Sequence, residues 1–534
     1  MVLVATGIKV LLIPAYRSTD FEVHRNWMAI THSLPLSQWY IDATSQWTLD
    51  YPPFFAWWEW LLAKVAKVVD PAMLELSAEP VESATAVYFQ RTSVIVSEFV
   101  LLWAAFAAVR SLERGKSTSE APTAKLPPPV AALFLLAFHP GLLIVDHIHF
   151  QYNGLLLGVL VLSAFAAARG RMLLSAALFA ALVCLKHLFL VAGPVYAVFL
   201  LAWASGRVRD GAQATEEERM RPSTFPSQSR PTLFAWSTFA RRIASVGAIV
   251  VALLTLALGP FALTKQLVPL FQRLFPFQRG LLHAYWAPNA WALYASADRL
   301  LVAASNRWKL GWVAPGDALP SFTGGLVQVS SFAVLPQIEP STTALLTLAA
   351  LFPALLAAWR RPHQRSFPLL TSYSLLTGFV LGYHVHEKAI LTAIVPLAVQ
   401  ACASRAPEDA GRYFFLSTTG TVALFPLLFA GPEYGIKVVA TALYAAVAWV
   451  VLSTQASGRG EAGRAKAERQ PPLLTLWQVV YLTGLGVVEF ASSWLMPASV
   501  ADRLPFLPLA MMSCYCALGV VYTWLQMAVA LLRL

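Results

Sequence analysis

The sequence predicts an all-α protein that crosses a membrane many times. Hydrophobic residues make up 57% of the 534-residue chain, charged residues make up 13%, and the mean hydropathy is +0.60. Soluble domains carry roughly 25% charged residues, so the composition excludes an ordinary soluble protein. Apolar runs of about 16–22 residues recur along the chain, which is the length a helix needs to cross the hydrocarbon core. Helices are expected because an open strand cannot satisfy its backbone there.

About fourteen apolar segments are predicted to span the membrane. The first, residues 1–16, lacks a small-residue cleavage site and is predicted to be a span or anchor, not a removed signal peptide. The others lie near 93–110, 128–145, 154–169, 172–186, 188–205, 243–264, 340–358, 367–383, 388–403, 411–430, 436–453, 474–495 and 506–532. Residues 288–306 are apolar enough to enter the membrane but are not assigned.

The basic residues divide the loops into two alternating sets. The formal net charge is +11, and most arginines and lysines fall in one set, which the positive-inside rule assigns to the cytoplasm. This distribution explains the charge without a nucleic-acid partner. Two members of the set, 206–242 and 454–473, are rich in Ser, Pro, Gly and Glu and are expected to be cytoplasmic linkers.

Every dense polar motif falls in the opposite set. The first loop, 17–92, contains "STDFEVHRNW" and "LDYPPFFAWWEW", and later loops contain "DHIHFQYN" at 146–153, "FPFQRGLLHAYWAPN" at 275–289 and "GYHVHEKAIL" at 382–391. One site on one membrane face is the simplest explanation. We therefore expect these separated segments to converge.

The motif "STDFEVHRNW" has two interpretations. A carboxylate near the membrane interface is costly unless it is paired or used. Asp20 is a natural N-cap for a helix and an ion-pair partner for Arg25, which is the structural interpretation. In the functional interpretation Asp20 is a general base, and its neighbours Glu22, His24 and Arg25 keep it ionised and oriented.

The motif "LDYPPFFAWWEW" places Asp50 and Tyr51 before two prolines, which fix an extended or turn backbone. Six tryptophans lie between Trp27 and Trp60. These rings suit an interfacial aromatic belt, and they also suit a groove that stacks on sugar rings.

Two H-x-H pairs raise the question of a metal site. The pairs are His147 with His149 beside Asp146, and His384 with His386 beside Glu387. Histidine and carboxylate ligands suit zinc and other transition metals. The chain has no D-x-D motif, the common divalent-ion motif of nucleotide-sugar transferases. Imidazoles, together with the amides of Gln151 and Asn153, equally suit hydroxyl groups and phosphate oxygens.

Basic side chains occur beside two of these motifs. Arg279 and Lys388 stand at the polar ends of apolar segments, where snorkelling is the default explanation. On the same side as the carboxylates, they also suit a phosphate-bearing lipid. His283, in the same stretch as Arg279, is a further candidate for substrate binding.

From Ser18 to about Pro396 the order of these motifs resembles the dolichyl-phosphate-glucose-dependent glucosyltransferases of the endoplasmic reticulum. "HFQYN", "FPFxRG" and "VHEK" are shared by the two closest members, which add the first and the second glucose to a lipid-linked oligosaccharide. The first-glucose member has G-D-F-E-A-Q-R-H-W, L-D-Y-P-P-L-T-A and E-D-K-V-A-N-F-W. This chain has "EVHRNW", "FFAW" and "HAYWAPN", which resemble the second-glucose member. No motif is matched after about residue 404.

The resemblance implies a fold of the GT-C type, with about fourteen transmembrane helices and an active site built from long lumenal loops. It divides the chain into a catalytic module, 1–403, and C-terminal helices, 404–534. It implies an inverting, metal-independent transferase of the endoplasmic reticulum membrane that requires no cofactor. The donor would be dolichyl β-D-glucosyl phosphate, the acceptor Glc1Man9GlcNAc2-PP-dolichol, the linkage α-1,3, and Asp20 the general base.

Two alternatives remain open from the sequence. One is first-glucose transfer to Man9GlcNAc2-PP-dolichol. The other is a membrane lipid transporter, since intramembrane charges also mark transport pathways. The sequence shows no inverted repeat, and the polar motifs lie at one membrane face instead of the midplane.

Overall fold

The computed structural model describes residues 1–81, 83–113, 126–208, 236–276, 280–283, 285–312, 332–428, 431–457 and 472–534. Within these ranges the chain is helical. The helices of the N-terminal half are α1 (Val2–Leu11), α2 (Asp20–Ser33), α3 (Pro53–Val69), α4 (Ala84–Glu113), α5 (Pro128–Ala137), α6 (Pro140–Leu142), α7 (Asn153–Ala168), α8 (Met172–Leu185), α9 (Gly193–Ala204), α10 (Trp236–Leu263) and α11 (Leu267–Leu274).

The C-terminal half continues in the same way. Its helices are α12 (Ala290–Trp308), α13 (Pro340–Ala350), α14 (Phe352–Arg360), α15 (Phe367–Leu381), α16 (Leu391–Ser404), α17 (Pro407–Val422), α18 (Pro432–Ser457), α19 (Leu476–Phe490), α20 (Ala498–Arg503) and α21 (Leu507–Arg533). Two π-helical segments, Leu143–Phe150 and Ala491–Leu495, prolong α6 and α19. Short 3-10 helices include Pro71–Leu74, His187–Ala192 and Glu387–Ile390. The described residues form no strand, and Leu282 and Val385 make an isolated bridge.

Eight helical stretches of the described chain are long and apolar enough to cross a membrane. They are Ala84–Ser111, Pro128–Phe150, His187–Ala204, Trp236–Leu263, Pro340–Arg360, Glu387–Ser404, Glu433–Ala456 and Leu507–Arg533. Each of the fourteen predicted segments coincides with a helix. Several of these helices, such as α1 and α8, are only 10–17 residues long. The membrane class is therefore supported, while the count of about fourteen stays a prediction.

Helices extend into the described ends of the two predicted linkers. Helix α10 begins at Trp236, inside the predicted linker 206–242, and α18 continues to Ser457. The remainder of both linkers lies almost entirely outside the described residues. The unassigned segment 288–306 forms α12, whose first turn is capped by Asn289: its side chain accepts hydrogen bonds from two backbone N–H groups.

Helix α4 packs closely against α7, beside the polar motif at 146–153. A side chain at Gly158 would place its Cβ 2.7 Å from the Leu101 backbone nitrogen, and one at Gly154 would come within 2.9 Å of Glu98 Cα. Small residues let helices in a membrane approach closely. Here they bring Glu98 against the start of α7, next to the motif at 146–153.

The first long loop contributes buried aromatic residues to the main hydrophobic core. Helices α2 and α3 pack together, and the rings of Trp27 and Phe55 lie within 4.9 Å of the Tyr51 ring, centroid to centroid. Trp27 is 1% exposed and Trp39 is 3% exposed. These two tryptophans therefore stabilise the loop, and neither the aromatic belt nor the sugar-stacking groove describes them.

Candidate active site

Three separated segments meet at one carboxylate oxygen. Asp20 Oδ2 accepts hydrogen bonds from Lys388 Nζ at 2.6 Å and from Gln151 Nε2 at 2.9 Å, and it lies 3.3 Å from His149 Nδ1. These partners come from the motifs at 146–153 and 382–391. The structure thus brings together four of the predicted site residues at the entrance to α2.

Asp20 is an ionised carboxylate with an open side. Burial alone would raise its pKa, but the Lys388 ammonium and His149 hold the pKa of Asp20 well below its usual range. Its side chain remains 24% exposed. An ionised and partly open carboxylate can accept a proton from a bound hydroxyl group.

The structural interpretation of Asp20 is wrong in both of its details. Helix α2 begins at Asp20 itself, with Thr19 as N-cap, and the Asp20 backbone N–H donates to Ser18 Oγ at 3.2 Å. Arg25 does not pair with Asp20. Its guanidinium donates to Glu22 Oε1 from Nε at 2.8 Å, and to the backbone carbonyls of Met73 and Glu75.

Glu22 and Arg25 consequently hold the first loop together. Both are buried, with Arg25 0% exposed, and they tie α2 to the 3-10 helix Pro71–Leu74. They do not contact Asp20. The expectation that they orient it directly is therefore wrong: their contribution to the site is the placement of α2.

His24 is likewise enclosed by its own loop. Its Nδ1 lies 2.7 Å from Glu59 Oε1, and both residues are buried. The rings of Trp27 and Tyr152 stand 5.0 and 5.1 Å from it, centroid to centroid. His24 therefore joins α2 to α3 and does not face the open side of Asp20.

The motif at 146–153 is shaped by a buried carboxylate. Asp146 accepts hydrogen bonds from Asn153 Nδ2 at 2.8 Å and from the Gly154 backbone N–H at 2.7 Å. Asn153 also donates to Gln151 Oε1 at 3.0 Å. Asp146 and Asn153 thereby fix the Gln151 amide, whose nitrogen faces Asp20. Phe150 takes a φ of 89°, an uncommon conformation for a bulky residue, just before Gln151.

His149 is oriented by Ser18. The Ser18 backbone N–H and Oγ both donate to the His149 carbonyl, and Oγ lies 2.6 Å from His149 Nδ1. Because the Ser18 proton goes to the carbonyl, Nδ1 is the donor towards Ser18 and Asp20. Ser18 thus couples the position of His149 to the start of α2.

His147 points away from Asp20 into a buried ionic cluster. Its Nε2 lies 3.1 Å from Glu98 Oε2, and the same oxygen accepts from Lys9. Arg91 donates to the backbone carbonyls of Tyr16, His147 and Ile148. Sequence reasoning missed Lys9, Arg91 and Glu98. Charged residues inside or beside predicted spans were the available signal, because such charges require partners.

The second H-x-H pair forms a separate cluster with His283. The His283 and His386 rings lie 3.7 Å apart, centroid to centroid, and His283 Nδ1 is 3.4 Å from Glu387 Oε2. Burial and then His283 hold the pKa of His386 well below its usual range. His384 has a φ of 51°, and its Nδ1 donates to the Gly280 carbonyl at 2.9 Å.

The predicted metal ligands come together only in part. His147, His149 and Asp146 are not in a group with metal-ligand spacing among the described residues. Among the described residues, the only group with metal-ligand spacing is His283, His386 and Glu387, whose ligand atoms lie within 4.8 Å of one another. Two imidazoles and one carboxylate can hold a divalent ion. Imidazole N–H groups can equally donate to phosphate oxygens.

Tyr51 and Asp50 border the same region. The pKa of Tyr51 is raised by burial and by the charges of Asp50 and Asp20, so its hydroxyl is neutral. The Lys186 ammonium lies over the Tyr51 ring, 5.0 Å from its centroid. Sequence reasoning missed Lys186. Arg279, a predicted phosphate ligand, lies outside the described residues.

Comparison with known proteins identifies relatives along the whole chain. Residues 5–527 match the model of the ALG6, ALG8 glycosyltransferase family. The chain is 43% identical to the Dolichyl pyrophosphate Glc1Man9GlcNAc2 alpha-1,3-glucosyltransferase of Arabidopsis thaliana, over 98% of this chain and 95% of that protein. Proteins with the same name from Mus musculus and Gibberella zeae are 41% and 42% identical, over 99% and 98% of this chain and 94% and 96% of theirs.

Proposed function

The chain belongs to the ALG6, ALG8 glycosyltransferase family, and we propose that it adds the second glucose of the lipid-linked oligosaccharide. The relatives matched over almost their whole length are named Glc1Man9GlcNAc2 alpha-1,3-glucosyltransferases, which favours this acceptor over Man9GlcNAc2. The proposed donor is dolichyl β-D-glucosyl phosphate. The enzyme would act from the lumenal face of the endoplasmic reticulum membrane, where the polar loops are predicted to lie.

The observation that carries the proposal is the environment of Asp20. An ionised, partly exposed carboxylate is held by Lys388, Gln151 and His149 at the meeting point of three loop segments. A glycosyltransferase needs a base that is ionised and held in one position.

The proposed chemistry is a single displacement with inversion at C1. The 3-hydroxyl of the acceptor glucose attacks C1, the bond from C1 to the phosphate oxygen breaks, and the hydroxyl proton passes to Asp20. Dolichyl phosphate leaves from the opposite face. The transition state has oxocarbenium character, as in glycoside hydrolysis. Positioning of two lipid substrates supplies a further part of the rate enhancement.

Lys388 has a different role here from the one its sequence position indicates. Its ammonium is paired with Asp20, so it keeps the base ionised. Gln151 and His149 restrict the carboxylate to one orientation. The cluster of His283, His386 and Glu387 is proposed to bind the donor phosphate through imidazole N–H groups, without a metal.

The test is transfer activity of the purified protein with two acceptors. Labelled dolichyl phosphate glucose is offered with either Glc1Man9GlcNAc2-PP-dolichol or Man9GlcNAc2-PP-dolichol. We expect label on the first acceptor only. Label on the second acceptor alone would assign the chain to first-glucose transfer, and label on neither would remove the transferase proposal.

A further inference from the structure

Lys186 occupies an unusual position for a lysine. It is one of only two basic residues between Met172 and Ala204, a stretch that otherwise consists of the apolar helices α8 and α9 and the 3-10 helix joining them. Helix α8 ends at Leu185, and Lys186 adopts an extended conformation with φ −151° and ψ 113°. A charged side chain inside an apolar stretch is expensive and marks a functional site by default.

The ammonium of Lys186 faces the region around Asp20. It lies 5.0 Å from the centroid of the Tyr51 ring. The charged groups within its electrostatic reach are Lys388, Asp146, Asp20 and Asp50. Lys186 therefore lies close enough to Asp20 for their charges to interact, although the two residues are far apart in sequence and on different elements.

Lys186 is half-buried and, unlike three other enclosed cations, forms no ion pair within the described ranges. Lys388 is paired with Asp20, Lys9 with Glu98, and Arg25 with Glu22. Within the described ranges, the Tyr51 ring is the one partner found for the Lys186 ammonium. A cation–π contact contributes about 0.5–2 kcal/mol and supplies no counter-charge, so the charge of this half-buried lysine remains available to an anion.

We infer that Lys186 binds the phosphate of the polyprenyl-phosphate donor and of the product that it becomes. This inference rests on the proposed function, because it takes the transferred group to be glucose on a lipid phosphate. Asp20 and Lys388 neutralise each other, so a bound phosphodiester needs another counter-charge. Lys186 supplies a point charge of the kind that binds phosphate.

The acceptor also carries phosphate, so the source of the anion has to be decided. Its pyrophosphate lies at the end of the oligosaccharide opposite the glucose that reacts at Asp20. The donor phosphate is bonded directly to the reacting carbon. An ammonium close enough to Asp20 for their charges to interact is therefore expected to lie nearer the donor phosphate than the acceptor pyrophosphate.

The experiment compares Lys186→Met and Lys186→Arg with the wild-type protein in detergent. Direct binding of a short-chain polyprenyl phosphate is measured, with the matching neutral polyprenol as the second ligand. We expect Lys186→Met to weaken polyprenyl phosphate binding roughly 10- to 100-fold, the usual worth of a charged hydrogen bond. Polyprenol binding should not change. Lys186→Arg should restore most of the phosphate affinity, which a folding defect would not allow.

Steady-state kinetics separates the two phosphate sources. Lys186→Met should raise the KM for dolichyl phosphate glucose and leave the KM for the oligosaccharide lipid unchanged. The matched control is Lys64→Met, because Lys64 lies over the Trp60 ring at 4.6 Å but is exposed on α3. It should behave as wild type in every measurement.

Unchanged polyprenyl phosphate affinity in a folded Lys186→Met protein would overturn the inference. A rise in the KM for the oligosaccharide lipid alone would overturn it as well, by assigning Lys186 to the pyrophosphate. Both results leave wild-type transfer activity intact, so they are distinct from failure of the proposed function.

Discussion

Replacement of Asp20 by asparagine separates the chemical role of this residue from its role as an ion-pair partner. Asp20→Asn keeps the size of the side chain but cannot accept a proton. It also leaves the Lys388 ammonium, only 10% exposed, without its carboxylate at 2.6 Å. Two effects are therefore expected, one on turnover and one on stability.

The effect on turnover follows from general base catalysis. Loss of a positioned base lowers rates typically by 10²–10⁴-fold, so turnover should fall by about 100-fold or more. This corresponds to roughly 2.7 kcal/mol or more in the activation free energy. The effect on stability should be smaller, about 1–3 kcal/mol, since the pair lies between the exposed and the buried extremes.

The assay is single-turnover transfer from labelled dolichyl phosphate glucose under saturating donor and acceptor. Thermal unfolding is measured on the same preparations. Glu22→Gln is the internal control, since Glu22 contacts Arg25 and not Asp20. It should lower stability with little direct effect on the chemical step.

The double variant Asp20→Asn with Lys388→Met decides between the two effects. Removing the unpaired ammonium should recover much of the stability, because no isolated charge is left in the site. Turnover should stay low. Recovery of turnover together with stability would show that Asp20 acts only as an ion-pair partner, and near-normal turnover in Asp20→Asn alone would refute the base assignment directly.

Three further predictions concern metal, pH and topology. Full activity is expected in EDTA; loss of activity that one divalent ion restores would instead favour a metal at His283, His386 and Glu387. Because Lys388 depresses the pKa of Asp20, Lys388→Gln should move the acidic limb of the kcat/KM profile to higher pH, and an unmoved limb would contradict the coupling. In sealed microsomes, a single cysteine placed between residues 209 and 235 should react with an impermeant reagent, and one at 146–153 should be protected; the reverse pattern would contradict the predicted orientation.

The helices were predictable because each depends on a local property. A helix in the membrane needs a continuous apolar run, and every predicted run coincides with a helix. Their ends were less predictable. Helix α4 begins at Ala84, nine residues before the predicted span at 93–110, because the polar residues Gln90, Arg91 and Thr92 interrupt the apolar run within the helix.

The partner of Asp20 was predictable in part from helix geometry. Residues three or four positions apart share a helix face, whereas residues five apart do not. If α2 starts at Asp20, Arg25 therefore reaches Glu22 and not Asp20, as the structure shows. The actual partner of Asp20, Lys388, could not be predicted, because this contact joins positions 368 residues apart.

The different surroundings of the two histidine pairs could not be predicted. Their spacing is identical, yet the pair at 147–149 is split between Glu98 and Asp20, while His386 turns towards His283. The difference arises from backbone conformation. The first pair lies in the π-helical segment Leu143–Phe150, and the second follows a break after α15, where His384 has a positive φ. Sequence spacing alone does not encode this difference.

The arrangement of charges explains why the proposed base is paired with a lysine. In the proposed reaction Asp20 accepts a proton and becomes neutral at the moment when the leaving phosphate gains a negative charge. The negative charge thus moves from Asp20 to the phosphate, and the total charge of the site does not change. Lys388, which loses its partner in that step, is then available to the phosphate beside Lys186. The Asp20–Lys388 contact thereby couples proton transfer to stabilisation of the leaving group, because protonation of Asp20 releases the Lys388 ammonium.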